Sequence, residues 1–178
     1  MLKRLRASSA GRIAMPYCYD WPRPAVTADV CALSRDEDGA WHVLLIERAN
    51  PPFAGHLALP GGFLDVDRED LETTARRELF EETGIHAPKA MPLLGIYSNP
   101  GRDPRGHTVT GVWLALFDWP PPEPKAADDA AAAQWLPVSQ ARPLAFDHER
   151  ILADALAFLA SREEAGFGDK AEGGNKEI

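Results

Sequence analysis

The apolar positions of the chain follow a strand-like pattern in most segments and a helical period in two. Strands are predicted where apolar and β-branched residues run or alternate between turn-forming sequences, at 25–33, 41–49, 91–99 and 107–119. The segment 55–63 reads as a short strand that ends in a Pro-Gly-Gly turn, and 133–138 as the last strand. The Pro- and Ala-rich stretch before this last strand is predicted to be a surface loop.

The helical period appears at 71–83 and again at 145–162. Asp70 is a suitable N-cap for the first helix, and Gly84 is a suitable C-cap. In the second helix the apolar residues share one face: Ile151, Leu152, Ala155, Leu156 and Leu159. The order of strands, helix, strands, helix predicts an α+β fold, with helices packed on a mixed sheet.

A chain of 178 residues is long enough for one domain with a full core. The segment 1–16 is predicted to be a flexible basic N-terminal arm, and the polar, Gly-rich segment 163–178 a flexible tail. The domain itself then covers residues 17–162.

Charge and composition exclude several classes of partner. The formal net charge of −8 argues against nucleic acid or an anionic membrane surface as a partner. The sequence has no apolar run of about 18 residues and no signal-peptide core, so neither a membrane span nor secretion is expected. Cys18 and Cys31 belong to no CxxC pair and are expected to be small buried residues. Together these features predict a cytoplasmic protein.

Three glutamates of the first helix raise the question of function. Glu78, Glu81 and Glu82 are spaced at i, i+3 and i+4, which places them side by side on a helix. At about 100° per residue, Glu78 and Glu82 point within about 40° of each other. Their sector is the apolar one, which also contains Leu71, Ala75 and Leu79. Two of the acids therefore face inward, and Glu81 flanks them.

Adjacent inward carboxylates need a raised pKa, an arginine partner or a divalent cation. Arg77 projects from a different face and is expected to partner only one of the acids. Clustered carboxylate oxygens on a rigid helix suit Mg²⁺ or Mn²⁺. The alternative is a solvated acidic surface, which the inward sector and the preceding Gly-Gly sequence disfavour.

The segment 62–85 resembles the signature of the Nudix hydrolases, G-x5-E-x7-R-E-U-x-E-E-x-G-U, where U is a bulky aliphatic residue. The matching positions are Glu69, Arg77-Glu78-Leu79, Glu81-Glu82 and Gly84-Ile85. The sequence departs from the signature at the front, where six residues instead of five separate Gly62 from Glu69. The extra residue falls in a loop, where an insertion is tolerated.

This resemblance implies an α/β/α sandwich with a mixed, curved sheet, and hydrolysis of a pyrophosphate bond with Mg²⁺, or alternatively Mn²⁺. It implies that Glu78 and Glu82 are the main metal ligands, that Glu81 contributes, and that the Gly61 carbonyl completes the site. Glu69 is expected to pair with Arg77 and to hold the loop against the helix.

Four further segments, 22–30, 48–63, 101–109 and 144–152, are similar to bacterial ADP-ribose pyrophosphatases. This wider resemblance implies cleavage of ADP-ribose to AMP and ribose 5-phosphate, and it is compatible with a homodimer. Two alternatives stay open: a (deoxy)nucleoside triphosphate pyrophosphohydrolase, and a module that binds ADP-ribose as a sensor.

Several residues outside the helix are candidates for binding a nucleotide. Arg102 and Arg105 lie in a Gly/Pro loop and Arg48 precedes a rigid Pro-Pro-Phe sequence, so each could bind a phosphate or be a solvated surface charge. Trp21 could stack on an adenine or anchor the N-terminal arm. Asp129, before the last strand, is a candidate general base, with a turn residue as the alternative.

Gly62, the first position of the signature, is the remaining candidate. It is expected to be one of the substrate-binding residues.

Overall fold

The computed structural model of the protein describes residues 19–125 and 130–164. It contains seven strands and two α-helices in the described ranges. In chain order these are β1 (Ala25–Arg35), β2 (Trp41–Arg48), β3 (Leu57–Ala58), β4 (Gly61–Phe63), α1 (Leu71–Thr83), β5 (Leu93–Tyr97), β6 (Thr108–Phe117), β7 (Ala130–Pro137) and α2 (His148–Glu164). A short 3-10 helix, Val138–Gln140, joins β7 to the segment before α2.

The strands form one mixed sheet centred on β1. Its main path runs β3-β2-β1-β6-β5, while β4 also pairs with β1 and β7 with β2. Strands β1 and β6 run parallel from the Ala25–Thr108 pair to the Ser34–Phe117 pair, and the other pairings are antiparallel. Strand β1 is buried along eight consecutive residues, because helices cover both faces of the sheet at this strand.

The two helices lie on opposite faces of the sheet. Side chains alternate between the faces of a strand, and those of β1 divide between two apolar clusters. Cys31 and Leu33 pack with apolar residues of α2, among them Ile151, Leu152, Ala155 and Leu159. Ala28, Val30 and Ala32 pack with Ala75 and Leu79 of α1. The predicted α+β fold, an α/β/α sandwich around a mixed sheet, is confirmed.

The sequence Pro60-Gly61-Gly62 is not the predicted turn. Gly61 to Phe63 form β4, which pairs antiparallel with Thr27 to Asp29 of β1. A Cβ at position 61 would lie 2.6 Å from the carbonyl oxygen of Ala28, so only glycine allows so close an approach of the two strands.

Two element boundaries also differ from the prediction. Strand β7 begins at Ala130, inside the predicted loop, because its alanines pair with β2 as far as Arg48; pairing here outweighs the low strand propensity of alanine. Helix α2 continues two residues into the predicted tail, and Glu163 forms an ion pair with Arg35 at 2.8 Å. The rest of that tail and the predicted arm lie outside the described residues. No helix in the described ranges is long and apolar enough to cross a membrane.

Candidate active site

Helix α1 has the boundaries that its capping residues predict, which sets the register of its glutamates. The Thr73 N–H donates to the Asp70 carboxylate at 2.8 Å, satisfying one unpaired donor of the first turn. Gly84 has a φ of 69°, and its N–H donates to the Phe80 carbonyl at 2.8 Å. This left-handed conformation ends the helix at little steric cost, because glycine has no Cβ.

Arg77 contacts three carboxylates. Its Nε and Nη2 donate to the two oxygens of Glu69 at 2.9 and 2.7 Å. Its Nη1 donates to Glu78 at 2.7 Å and to Glu81 at 2.9 Å. The predicted pair with Glu69 is present, but the expectation that Arg77 partners only one acid is wrong. The planar fork of the guanidinium, with five N–H donors on a flexible stem, reaches all three acids.

Glu69 connects the loop before α1 to the helix. The hydrogen bonds from Arg77 hold the pKa of Glu69 at about 2, so it is ionised at neutral pH. One of its oxygens also accepts from the Asp65 N–H at 2.9 Å and from the Thr74 hydroxyl at 3.0 Å. The loop contains a turn closed by the Arg68 N–H and the Asp65 carbonyl, and Asp67 adopts a φ of 67°. This turn accommodates the six-residue spacing without changing the helix.

The inward glutamates lie against β4. The Gly61 N–H donates to a carboxylate oxygen of Glu82 at 2.9 Å. A Cβ at position 62 would lie 2.7 Å from Oε2 of Glu78. The side chain of Glu78 is 7% exposed, whereas that of Glu81 is 53% exposed. The structure therefore brings Glu78 and Glu82 together at the two glycines and leaves Glu81 at the rim, as the helical spacing predicts.

The chemistry of these donors fits a hard divalent cation. As the side chains stand, the described residues include no group of three or more His, Cys, Asp or Glu side chains arranged to hold a metal ion. Glu78 and Glu81 instead accept from Arg77, and Glu82 accepts from Gly61. Carboxylate and carbonyl oxygens are the ligands that Mg²⁺ and Mn²⁺ prefer.

Asp29 is a buried carboxylate that the sequence analysis did not identify. It lies in the middle of β1, and its Oδ2 accepts from the Thr110 hydroxyl at 2.6 Å. Burial raises its pKa to about 6, although the Thr110 hydrogen bond opposes the shift. Its carboxylate lies directly against Gly61. The available signal was an aspartate inside an otherwise apolar strand sequence, AVTADVCAL.

Arg102 is not placed as a phosphate ligand. Its side chain is 5% exposed, and its Nε and Nη2 donate to the two oxygens of Asp147 at 3.0 and 2.6 Å. Its Nη2 also lies 4.0 Å from Asp29. The loop therefore folds back onto the start of α2 and uses this guanidinium as an internal ion pair. Asp147, the residue before α2, uses its carboxylate to bind this guanidinium.

Arg48 and Arg105 lie near each other, and Arg48 is close enough to Glu82 for that carboxylate to raise its pKa. Arg105 is paired with the buried Asp103 at 2.7 Å and is itself partly exposed. Arg48 donates to the Pro52 carbonyl at 2.9 Å. Both guanidinium groups lie over the ring of Phe146, a residue that the sequence analysis did not identify as functional.

Trp21 is not joined to this cluster. Trp21 is 81% exposed and lines a surface groove with Tyr19, Arg23 and Val66. The residues that line this groove include none of the three glutamates. Asp129 lies outside the described residues, so its role as a base stays a prediction.

Comparison with known proteins places this site in a family. The NUDIX domain model matches residues 24–155. The ADP-ribose pyrophosphatase of Methanocaldococcus jannaschii is 47% identical over 112 residues, which are 63% of this chain and 64% of that protein. The ADPR responsive transcriptional repressor NtrR of Acinetobacter baylyi is 36% identical over 146 residues, which are 80% of this chain and 57% of the repressor. This chain thus spans less than two thirds of the length of either relative.

A solved structure shows the same architecture. The NUDIX domain of Shewanella oneidensis NrtR, in a complex with ADP ribose, aligns with a TM-score of 0.71 at 31% sequence identity. The alignment covers 78% of this chain and 90% of that one. The segment that the family model matches contains the glutamate helix and the glycine strand described above. This chain belongs to the NUDIX domain family.

Proposed function

We propose that this protein hydrolyses the pyrophosphate bond of ADP-ribose to give AMP and ribose 5-phosphate. The observation that carries the proposal is the convergence of Glu78 and Glu82 on Gly61 and Gly62. The substrate class is supported by the 47% identical relative named ADP-ribose pyrophosphatase and by the NUDIX domain bound to ADP ribose.

The residues of α1 and β4 supply the metal site in this proposal. Glu78 and Glu82 would be the principal ligands, with the Gly61 carbonyl and the more exposed Glu81 completing the set. A bound divalent cation, which we assign as Mg²⁺ with Mn²⁺ as the alternative, would offset phosphate charge and lower the pKa of a water molecule. Arg77 offsets the repulsion among the glutamates by donating to Glu78 and Glu81.

The reaction adds the oxygen of water to one phosphorus and breaks that phosphorus's bond to the bridging oxygen, which leaves on the other phosphate. In this proposal Arg48 and Arg105 bind the anionic groups of the substrate. Gly62 lets the substrate approach the backbone, and Asp129 remains the candidate base on sequence grounds alone. A homodimer that completes the adenine site, with Trp21 as a stacking residue, is part of the same proposal.

A second candidate function is ADP-ribose binding without turnover. It is favoured by the 36% identity to an ADPR responsive repressor. Against it stands the complete set of glutamates, which binding alone does not require. A net charge of −8 disfavours DNA as a general electrostatic partner, and a gel-shift assay with DNA, with and without ADP-ribose, tests that inference.

The test is a substrate panel with Mg²⁺: ADP-ribose, NADH, diadenosine polyphosphates and nucleoside triphosphates, with products separated by chromatography. We expect AMP and ribose 5-phosphate from ADP-ribose at the highest rate. Faster release of pyrophosphate from triphosphates would reject the substrate assignment and favour the nucleotide-pool alternative. Binding of ADP-ribose with no turnover in Mg²⁺ or Mn²⁺ would favour the sensor.

A matched pair of variants tests the metal ligands. Glu82→Gln keeps an acceptor for the Gly61 N–H but removes the charge. It should lower kcat more than about 100-fold, since loss of even outer-shell partners of a metal costs about 10- to 100-fold. The control is Glu72→Gln on the same helix, where the exposed Glu72 pairs with Arg76 at 2.8 Å. Near-wild-type turnover by Glu82→Gln would reject the assignment.

A further inference from the structure

Phe146 has an unusual backbone conformation immediately before the residue that binds Arg102. Its φ is 56°, in the left-handed region that bulky side chains rarely adopt. Its ring contacts the Phe53 ring with centroids 4.9 Å apart and the His148 ring at 5.3 Å. These contacts hold the aromatic ring in one place despite the unfavourable backbone.

Two guanidinium groups lie over this ring. The central carbon of Arg48 is 4.8 Å from the ring centroid, and that of Arg105 is 5.5 Å from it. A cation within about 6 Å of an aromatic ring is attracted by the ring quadrupole. Burial lowers the pKa of Arg48, and repulsion by the neighbouring Arg105 lowers it further. The attraction of the ring for both cations opposes their mutual repulsion.

The charges of the two arginines are balanced differently. Arg105 donates to the buried carboxylate of Asp103 at 2.7 Å. The hydrogen bonds of Arg48 go to the backbone carbonyls of Pro52 and Asn50, at 2.9 and 3.3 Å. Carbonyl groups carry no net charge, so the pair of arginines presents more positive charge than these contacts cancel.

This pair lies next to the glycine strand. Arg105 is also 5.0 Å from the ring of Phe63, the residue after Gly62. The carboxylate of Glu82 is close enough to oppose the lowering of the Arg48 pKa. A ligand with two linked phosphates could thus place one at the glutamates and the other at the arginines.

We propose that Phe146 is a positioning residue that holds Arg48 and Arg105 together as an anion subsite for the second phosphate of a pyrophosphate-containing nucleotide. The inference rests on the proposed function and deepens it by assigning a residue to substrate recognition. Phe146 acts through the two arginines and takes no part in bond breaking. Its loss should weaken binding while the chemical step is retained.

The experiment compares three variants in steady-state kinetics with ADP-ribose and Mg²⁺. Phe146→Leu should raise KM about tenfold, as expected when contacts worth about 1–2 kcal/mol are lost, and should change kcat far less. Phe146→Tyr keeps an aromatic face and should restore most of the affinity. Phe158→Leu is the matched control, because Arg162 lies 4.9 Å from that ring on α2 and the contact is not part of the candidate site.

A double-mutant cycle provides the second measurement. Arg48→Met and Arg48→Met/Phe146→Leu should bind ADP-ribose with dissociation constants that differ much less than tenfold, because part of the ring's effect requires Arg48. Titration calorimetry with ADP-ribose measures these constants without turnover, so a failure of the hydrolase assignment is seen separately in the wild-type assay. Fully additive losses, a fall in kcat at unchanged KM, or a Phe146→Tyr variant as weak as Phe146→Leu would each overturn the proposal.

Discussion

Gly62 lies so close to Glu78 that no side chain fits between the glycine strand and the glutamate carboxylate. A Cβ at position 62 would lie 2.5 Å from Cδ of Glu78 and 2.7 Å from its Oε2. Separations below 3.0 Å are essentially never observed for real Cβ atoms. Glycine at this position is therefore what lets an inward carboxylate of α1 lie against β4.

Gly62→Ala should displace the Glu78 carboxylate and lower kcat by about 10- to 100-fold, a loss comparable to that of an outer-shell partner of a metal. The fold should survive, because the atoms that must move are the end of a flexible side chain. Gly95→Ala is the control, since its new Cβ would meet only Tyr97, at an ordinary 3.6 Å. Steady-state kinetics and thermal unfolding of both variants make the comparison. Equal activities would show that the carboxylate position does not matter.

Breaking the Arg102–Asp147 ion pair should destabilise the protein. Arg102→Met leaves the Asp147 carboxylate without its bidentate partner and should lower the free energy of unfolding by about 3 kcal/mol. Arg150→Met removes the exposed partner of Asp154, 3.9 Å away, and should cost less than about 1 kcal/mol. Urea denaturation measures both.

A companion variant separates the two interpretations of Arg102. Arg102→Met/Asp147→Leu removes both charges and should regain much of the lost stability. A raised KM for ADP-ribose with unchanged stability in Arg102→Met would restore Arg102 as a phosphate ligand.

The buried His148 should make the stability of the fold fall at acidic pH. Its Nδ1 accepts from the Leu59 N–H at 2.9 Å, which requires a neutral ring. Burial lowers the pKa of His148 to about 3. The negative charge of Asp147 opposes this shift, and the positive charges of Arg102 and Arg48 add to it. The unfolded chain takes up a proton on this histidine near pH 6.5 whereas the folded protein does not, so stability falls as the pH drops below about 6.5.

Protonation of this histidine in the unfolded chain should lower the free energy of unfolding by about 3 kcal/mol between pH 7 and pH 4. His148→Asn offers an oxygen acceptor for the Leu59 N–H and has no titrating group. Chemical denaturation at several pH values should therefore show a smaller acid loss in the variant than in the wild type. Parallel pH profiles for the two proteins would contradict the assignment.

We predict that replacing Arg77 destabilises the protein more than replacing its neighbour Arg76. Lysine cannot reproduce the fork that contacts Glu69, Glu78 and Glu81. Arg77→Lys should therefore lower the free energy of unfolding by about 1–2 kcal/mol, the range for lost charge-assisted hydrogen bonds. Arg76 pairs with Glu72 and donates to the carbonyls of Pro88 and Lys89, so it contacts one carboxylate where Arg77 contacts three. Arg76→Lys should therefore cost less, at most about 1 kcal/mol. Thermal or urea unfolding decides, and similar losses in both variants would count against a special role for Arg77.

Helix α1 shows how far reasoning from the sequence reaches. Its caps, its inward sector and its pairing of Glu69 with Arg77 depend on residues a few positions apart, whose geometry is set by the helical repeat. The same reasoning placed Arg77 on another face and assigned it one acid. It failed there because a long side chain can curl back to neighbours that its Cβ does not point toward.

The loop residues show where that reasoning ends. Arg102 carries the same charge as Arg105 and lies three residues before it, yet only Arg102 is buried against Asp147, 45 residues away in the chain. No local period connects these positions. Likewise the alanines of β7 form a strand because β2 offers an unpaired edge, and Asp29 belongs to the site because β4 and β6 pair with the strand that carries it.

The order of strands and helices, the limits of α1 and the direction of its glutamates follow from the amino-acid sequence, because hydrophobic period and capping act over one or two helical turns. Packing between distant segments decides three other features. These are the partners of Arg102, the contact of Asp29 with Gly61, and the position of two arginines over Phe146. Those contacts depend on which strands and loops are brought together when the sheet and its two helices bury their apolar faces.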